Sequence, residues 1–254
     1  MEKGILRYAV TDSITEAELL PHYIAIHGLS GQGGRVANAN VPKQYRDVLV
    51  ADSVVRGSES AIYAKLDDYI KTFVRQFGVE YKGSTQIKGL YIYSPKTGNG
   101  KTTTACALLN EYIVRHYVGS IKRDLQPKLF PAYFFDVNYW NKLYTQFTRH
   151  GVPRHVAEKA SAEYYEMERI ARMTEFLVMD DIGVREDVSD AFRMDLHALI
   201  NHRNVEEMPT VYTSNVPLTE LPRIFREDRL ADRIRDMTIQ FTFKGDSKRG
   251  AKRK

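Results

Sequence analysis

The stretch YSPKTGNGKTTT (residues 93–104) holds most of a motif that binds nucleotide phosphates. The usual pattern is G-x-x-x-x-G-K-[ST], in which backbone N–H groups surround the phosphates and the lysine and hydroxyl reach the terminal phosphate and Mg²⁺. Gly100, Lys101 and Thr102 fit that pattern, whereas Pro95 stands where the first glycine is usual. Proline has no N–H, which is tolerable at the loop entrance if that position does not contact phosphate.

The segments around this loop are those that a phosphate site needs. A β-branched and aromatic run (89–94) predicts a strand before the loop, and a helical pattern begins at about residue 101. Gly98 and Gly100 give the loop the backbone freedom to bend around an anion, and a helix N-terminus attracts that anion. We therefore predict that ATP contacts Lys96, Thr97, Gly98, Asn99, Gly100, Lys101, Thr102 and Thr103.

Two acids end a second apolar run, FLVMDD (residues 176–181). We predict that Asp180 holds Mg²⁺ together with Thr102, and that Asp181 orients or activates the attacking water. Aspartate is one methylene shorter than glutamate, which shortens the reach of Asp181 as a base. The alternative is that these acids only cap a buried strand.

A third apolar run, TVYTS (210–214), ends before Asn215. If its strand neighbours the strand that ends at Asp180, Asn215 would lie beside the two acids and position water. Serine and asparagine are also ordinary turn residues, so this pattern is weak by itself.

A short charged segment, EDRLADRIRD (227–236), carries Arg229, Arg233 and Arg235. One interpretation is a salt-bridged surface helix. The other is that an arginine is presented to the γ-phosphate of a neighbouring subunit, which requires an oligomer.

Strand-like and helical runs alternate from residue 89 to residue 243. The strand-like runs are 89–94, 132–137, 176–180, 210–214 and 238–243, and the helical runs that separate the later ones are about 138–149, 153–173 and 189–205. This alternation predicts an α/β fold with a five-stranded parallel sheet between helices. Because the last strand ends close to the final residue, we expect a C-terminal helical lid to be minimal or absent.

The residues before the first strand are predicted to be helical. SITEAELLPHYIAIHGL has helical spacing, with Ser13 as the expected cap. Residues 58–77 predict one amphipathic helix whose apolar face carries Ile62, Leu66, Ile70, Phe73 and Val74.

Composition excludes several classes of protein. Hydrophobic residues are 43% and charged residues 27% of the 254 residues, as in an ordinary globular protein. No stretch approaches the roughly 20 apolar residues of a membrane span, and the N-terminus does not have the pattern of a secretion signal. The single cysteine, Cys106, excludes an internal disulfide or a multi-cysteine zinc site. We expect a cytoplasmic protein.

The net charge of +5 is concentrated near the end of the sequence. The segment KGDSKRGAKRK (244–254) carries six basic residues and one acid, Asp246. Such a segment suits a polyanion, although a solvated terminus explains it equally well.

In this order the motifs resemble those of the AAA+ ATPases, and more closely those of the DnaC/DnaI helicase loaders and the related IstB-type transposition ATPases. The similarity runs from about Pro42 to Arg249 and is carried by KGLYIYSPKTGNGKTTTACALLNEYI, FLVMDDIGV, LHALINHRNVEEMPTVYTSNVPLTEL, RLADRIRD and KGDSKR. It implies that Asn215 is sensor 1, Arg233 the arginine finger and Arg249 the sensor 2 arginine. It also implies three parts: a small N-terminal segment that contacts the helicase (1–40), an AAA+ domain (41–249) and a basic tail (250–254).

The resemblance implies a protein that binds ATP and Mg²⁺, self-associates through a shared ATP site, and loads the replicative hexameric helicase onto single-stranded DNA. The short N-terminal segment suits a phage or mobile-element loader. Two alternatives stay open: an IstB-type transposition helper that polymerises on duplex DNA, and a nucleotide-binding switch with negligible turnover.

Candidate DNA contacts lie in the segment FFDVNYWNKLYTQFTRHGVPRH (134–155). Val137, Trp140, Tyr144 and Phe147 fall at helical spacing, which favours a core role for them. The exposed candidates are then Tyr139, Lys142, Arg149 and His150. His22 and His27 are interpreted as packing or surface residues rather than metal ligands.

Overall fold

The computed structural model describes residues 4–8, 15–183 and 188–247, and the chain forms two compact units. The first unit comprises residues 1–87, 98–134 and 245–254, and the second comprises residues 88–97 and 135–244. Within the described residues, no helix is both long enough and apolar enough to cross a membrane.

The first unit is helical. Its α-helices are α1 (Glu16–His27), α2 (Gly34–Asn38), α3 (Ser60–Tyr69) and α4 (Lys101–Ile121), and short 3₁₀ segments cover Gly4–Tyr8, Lys43–Tyr45 and Ile70–Phe77. Ser13, the expected cap of α1, lies outside the described residues, and the cap is Thr15 instead. The Thr15 hydroxyl accepts the Glu18 N–H at 3.3 Å and the Glu18 carboxylate accepts the Thr15 N–H at 2.9 Å, which is a capping box.

The prediction of one helix over residues 58–77 is wrong. The α-helix ends at Tyr69 and the chain continues as a 3₁₀ helix to Phe77. Leu66 and Phe73 are buried as predicted, but Tyr63 is buried rather than Ile62. Tyr63 can be buried because its hydroxyl is hydrogen-bonded to Ser53 and Thr104.

The second unit carries most of a five-stranded parallel sheet, in the order β2-β3-β4-β1-β5. The strands are β1 (Gly89–Tyr93), β2 (Ala132–Asp136, which begins in the first unit), β3 (Phe176–Asp180), β4 (Thr210–Ser214) and β5 (Thr238–Thr242). The helices of this unit are α5 (Val137–Thr148), α6 (Arg154–Met173), α7 (Asp190–Val205), α8 (Leu221–Phe225) and α9 (Asp228–Met237). The predicted five-stranded parallel sheet is confirmed.

Apolar strands and one buried arginine hold the second unit together. Every residue of β4 is buried, as expected for a parallel sheet that helices cover on both faces. The fully buried Arg203 of α7 donates to the carbonyl oxygens of Ala171, Thr174 and Pro209 at 2.6, 2.8 and 3.0 Å. This side chain therefore joins the end of α6 to the residue that precedes β4. Residues 243–247, the last that are described, contain no helix.

Candidate nucleotide site

Three neighbouring strands bring the predicted catalytic residues of the second unit to one edge of the sheet. β4 pairs with both β3 and β1, and all these pairs are parallel, so the three strands end on the same side. The Ser94 N–H, at the start of the phosphate loop, donates to the Ser214 carbonyl oxygen at 3.1 Å. The neighbouring strands that the Asn215 prediction required are therefore present.

Two asparagines hold the carboxylate of Asp181. The Asn138 amide donates to Oδ2 at 2.9 Å, and the Asn215 amide donates to Oδ1 at 3.3 Å. The backbone of Asp181 has a φ of 62°, a left-handed conformation that is uncommon for a residue with a side chain. Both carboxylate oxygens thus have donors, and the carboxylate has a fixed orientation.

A threonine links the two acids. The Thr213 hydroxyl donates to Oδ1 of Asp180 at 2.6 Å and accepts the backbone N–H of Asp181 at 2.9 Å. Its position on β4 places it beside the end of β3. The hydroxyl therefore orients the Asp180 carboxylate and stabilises the turn that begins at Asp181.

Sequence reasoning missed Asn138 and Thr213. Asn138 follows β2 by two residues, and β2 is the neighbour of β3. The signal was a polar residue just beyond a strand end, the same signal that identified Asn215. It could not be used because the alternation of strands and helices does not give the strand order.

The phosphate loop adopts the backbone that its glycines were predicted to permit. Gly98 and Gly100 have φ values of 75° and 97°. A side chain at position 100 would also overlap the side chain of Val55. Pro95 is exposed at the loop entrance, where the next N–H, that of Lys96, is directed to the Ser94 hydroxyl at 3.3 Å.

The start of α4 combines a helix end that no side chain caps with nearby polar side chains. Gly100 precedes the helix, so no side chain caps its first N–H groups. Asn99 is 1% exposed, and among the described residues neither its Oδ1 nor its Nδ2 has a hydrogen-bond partner. A buried unpaired amide costs about 1–3 kcal/mol. Lys101 is also buried, and Thr102 and Thr103 are half-buried. These groups fit a bound anion such as a nucleotide phosphate.

A chain of hydroxyl groups supports the loop from within the first unit. The Thr104 hydroxyl donates to the Gly100 carbonyl oxygen at 2.9 Å, so it accepts its 2.8 Å bond from the Tyr63 hydroxyl. Tyr63 in turn accepts from the Ser53 hydroxyl at 2.5 Å. Burial raises the pKa of Tyr63, which keeps this hydroxyl protonated as a donor.

Metal binding at this site would depend on the nucleotide. Within the described part of the chain, no group of three or more His, Cys, Asp or Glu residues could hold a metal ion. Magnesium commonly takes one or two protein oxygens together with substrate phosphates and water. The Asp180 carboxylate of the second unit therefore suits a Mg²⁺ that arrives with ATP.

The predicted arginine finger lies on α9, exposed to solvent. Arg233 lines a cleft of about 300 Å³ with Arg229 and His197, and neither arginine has an acidic partner within the described ranges. His197 bonds Glu227 at 2.9 Å, yet burial lowers its pKa, so a neutral ring is favoured. Arg235 is different because it pairs with Asp232 at 2.6 Å. Arg249 lies outside the described residues.

The DNA candidates fall into two groups. The Tyr139 hydroxyl donates to Glu163 at 2.7 Å, and this bond raises the pKa of Tyr139 to about 12. Lys142, Arg149 and His150 are exposed, and Lys142 lines an open cleft of about 780 Å³ that also includes Asp181.

The four residues of α5 that were predicted to lie in the core are buried or half-buried. Val137 and Trp140 are buried, and Trp140 stacks on Tyr164 of α6 at 4.5 Å between ring centres. Tyr144 and Phe147 are half-buried within the same aromatic cluster. His27 is buried and accepts the Ile5 N–H at 3.2 Å, which is a packing role.

Solved structures with the same fold include replication proteins. A candidate primosome component from Streptococcus pyogenes serotype M3 aligns with 86% of this chain and 100% of its own, at 23% identity and a TM-score of 0.54. The DnaC helicase loader aligns with 80% of this chain and 100% of its own, at 19% identity and a TM-score of 0.54. The protein has the AAA+ fold. The structural likeness to helicase loaders that the sequence motifs predicted is confirmed.

An initiator with the same fold has been solved with ligands. The replication initiator DnaA, bound to AMPPCP and single-stranded DNA, aligns with 81% of this chain at 15% identity and a TM-score of 0.50, and the alignment spans 51% of the DnaA chain. No protein-family model and no curated protein matches the sequence.

Proposed function

We propose that this protein is a cytoplasmic ATPase that loads the replicative hexameric helicase onto single-stranded DNA during replication initiation. The observation that carries the proposal is the buried, unpartnered amide of Asn99 at the uncapped start of α4, in a chain with the fold of DnaC. A glycine loop before an uncapped helix N-terminus is an arrangement that binds phosphate.

Each site residue has a distinct task in this proposal. Lys101 and Thr102 bind the terminal phosphates, and Thr102 and Asp180 hold Mg²⁺, which supplies neutralisation of phosphate charge. Asp181 receives a proton from the attacking water or orients it, and Asn138 and Asn215 fix its carboxylate.

Turnover also needs a positive charge at the γ-phosphate, and a second copy of the chain would supply it through Arg233. The absence of an acidic partner for Arg233 among the described residues supports this role. A guanidinium that is already paired, as Arg235 is with Asp232, would have to break an ion pair first. The shared site makes activity depend on self-association.

Single-stranded DNA would contact the exposed face of α5 and the loop after it. Lys142, Arg149 and His150 supply positive or hydrogen-bonding groups there, whereas Tyr139 is held by Glu163. The proposal is supported by the likeness to the replication initiator DnaA, which has been solved with bound single-stranded DNA. The basic tail (250–254) would add contacts to DNA phosphate, whereas Arg249, as the implied sensor 2, would contact the nucleotide.

The test is a complex with the replicative helicase from the same cell, measured by size-exclusion chromatography with ATP, with ADP and without nucleotide. We expect co-elution that depends on ATP and is lost in Lys101→Ala. If the wild-type protein does not co-elute with the helicase in ATP, in ADP or without nucleotide, the loader function is ruled out. If the two proteins co-elute equally in all three conditions, the protein binds the helicase but ATP does not control that binding.

A nucleotide-binding switch is the second candidate. It is favoured by the two amide donors on Asp181, which leave that carboxylate fewer free lone pairs to accept a proton from water. A single-turnover measurement with radiolabelled ATP separates the two candidates. Phosphate release on the time scale of helicase loading supports the ATPase, whereas bound ATP that persists unhydrolysed supports the switch.

A further inference from the structure

A groove on the first unit lies between the 3₁₀ segment Ile70–Phe77 and helix α4. It has a volume of about 310 Å³, and its floor is formed by buried apolar side chains: Ile5, Leu49, Phe73 and Val114. Val74, Phe77 and Val118 are half-buried along its sides. The groove therefore presents apolar surface that is open to solvent.

The change of helix type at Ile70 builds one side of this groove. Residues three apart eclipse one another in a 3₁₀ helix, so Lys71, Val74 and Phe77 form a single row along the groove. An α-helix would turn these residues progressively away from the groove. The segment has eight residues, whereas 3₁₀ runs longer than about four are uncommon.

A glycine in α4 seats the aromatic end of that row. A Cβ at Gly119 would lie 2.5 Å from the ring of Phe77, so any other residue would require this ring to move. Glycine inside a helix is less favourable than alanine, so its place here reflects the close approach of Phe77. The Arg123 guanidinium lies 4.4 Å from the centre of the Phe77 ring, and His116 stacks on that ring at 6.0 Å.

The rim of the groove is basic. Lys71, Arg115, Lys122 and Arg123 line it, against one acid, Glu111. The Glu111 side chain is 10% exposed and pairs with Arg115 at 3.3 Å. Lys122 and Arg123 have no acidic partner in the part of the chain that the structure describes. An occupant of the groove would therefore meet apolar side chains below and uncompensated positive charge at one end.

We infer that this groove docks an acidic, amphipathic helical segment of a partner protein, with aliphatic side chains on the floor and carboxylates at Lys122 and Arg123. Helices commonly bind in this way, through apolar residues at i, i+3, i+4 and i+7. Nucleic acid suits the groove less well because a base stacks on an open aromatic face. The ring of Phe77 is already in contact with Arg123 and His116. The proposed function identifies this partner as the helicase, and the inference rests on the proposed function in that respect alone.

The test uses two fluorescein-labelled peptides of about 20 residues, long enough to be helical when bound. Both peptides carry leucine at i, i+3, i+4 and i+7. The acidic peptide has glutamate at the remaining positions, and its twin, the basic peptide, has lysine there. Fluorescence anisotropy is measured with the full chain, with Lys122→Glu/Arg123→Glu and with Val118→Asp. Lys65→Glu/Lys159→Glu is the control, since it makes the same charge change at exposed positions outside the groove.

We expect the acidic peptide to bind at least tenfold more tightly than its twin. The groove variants should weaken it about tenfold, and the control should not. No binding, equal binding of the twins, or binding that survives both groove variants would each overturn the inference. So would displacement of the peptide by a single-stranded oligonucleotide, which would assign the rim to nucleic acid. Peptide binding that persists in Lys101→Ala would stand even if the proposed ATP-dependent function fails.

Discussion

The side-chain amide of Asn138 donates a 2.9 Å hydrogen bond to Oδ2 of Asp181. Asn138 belongs to α5, the helix that also carries the DNA candidates Tyr139 and Lys142. The carboxylate proposed to act on water is therefore in direct contact with a helix proposed to contact DNA. This contact lies within the second unit and was not foreseen from the sequence.

Replacing Asn138 with alanine should change turnover without changing ATP affinity. Removal of the donor releases the Asp181 carboxylate from its fixed orientation, so we expect phosphate release to fall severalfold. Steady-state kinetics and nucleotide titration measure the two quantities separately.

The control for that variant is Asn141→Ala, which alters the same cleft but has no bond to Asp181. A rise in turnover for Asn138→Ala, with the control unchanged, would mean that the amide restrains the Asp181 carboxylate and does not position it for catalysis.

Replacing Tyr63 with phenylalanine should weaken ATP binding about fivefold, because one neutral hydrogen bond is worth about 1 kcal/mol. The lost hydroxyl is the one that donates to Thr104, which in turn donates to the Gly100 carbonyl oxygen. Fluorescent nucleotide titration is the measurement.

Tyr69→Phe is the matched control, since Tyr69 is buried on the same helix and its ring packs against Phe73. Equal effects of the two substitutions would show that Tyr63 acts on general stability rather than on the loop.

Replacing Arg203 with methionine should lower the free energy of unfolding by about 3 kcal/mol. The variant leaves the carbonyl oxygens of Ala171, Thr174 and Pro209 buried without their donor, at about 1–3 kcal/mol for each unsatisfied group. Urea denaturation measures the change. Arg169→Met, which removes an exposed arginine from α6, should cost less than about 1 kcal/mol. Equal losses for both variants would contradict the role of Arg203.

Acidification should destabilise the contact between His27 and the 3₁₀ segment Gly4–Tyr8. Burial lowers the pKa of His27 in the folded state, so the unfolded chain binds a proton more readily. This contribution to stability is present above the unfolded pKa of about 6.5 and is lost as the pH falls below it. Protonation also removes the Nε2 lone pair that accepts the Ile5 N–H.

The measurement is the melting temperature of wild type and His27→Gln between about pH 7.5 and pH 5.5. The wild type should lose more stability than the variant over this range. Parallel losses in both proteins would show that other groups control the acid response.

The sequence predicted the strands and most helices of the second unit to within one or two residues, because apolar runs and helical periods there agree with local propensity. It did not predict the end of the α-helix at Tyr69, since an amphipathic period continues unchanged through the 3₁₀ segment to Phe77. Ile62 and Tyr63 are adjacent, and the sequence does not reveal that the Tyr63 hydroxyl finds buried partners in Ser53 and Thr104.

Parts of the site could be predicted because they follow one another in the chain. The loop residues and the acid pair are contiguous, and their spacing has a physical reason. Asn138 and Thr213 depend on which strands are neighbours, which a single sequence does not give. The roles assigned to Arg233 and Arg249 stay predictions.

The most direct test of the central claim is ATP turnover measured over a range of protein concentrations, with and without single-stranded DNA. Wild type is compared with Arg233→Ala and with Arg235→Ala, whose guanidinium is paired with Asp232. We predict that turnover per subunit rises with protein concentration and with DNA, and that only Arg233→Ala abolishes it while retaining ATP binding. Turnover that is independent of concentration and unchanged in Arg233→Ala would contradict a shared ATP site.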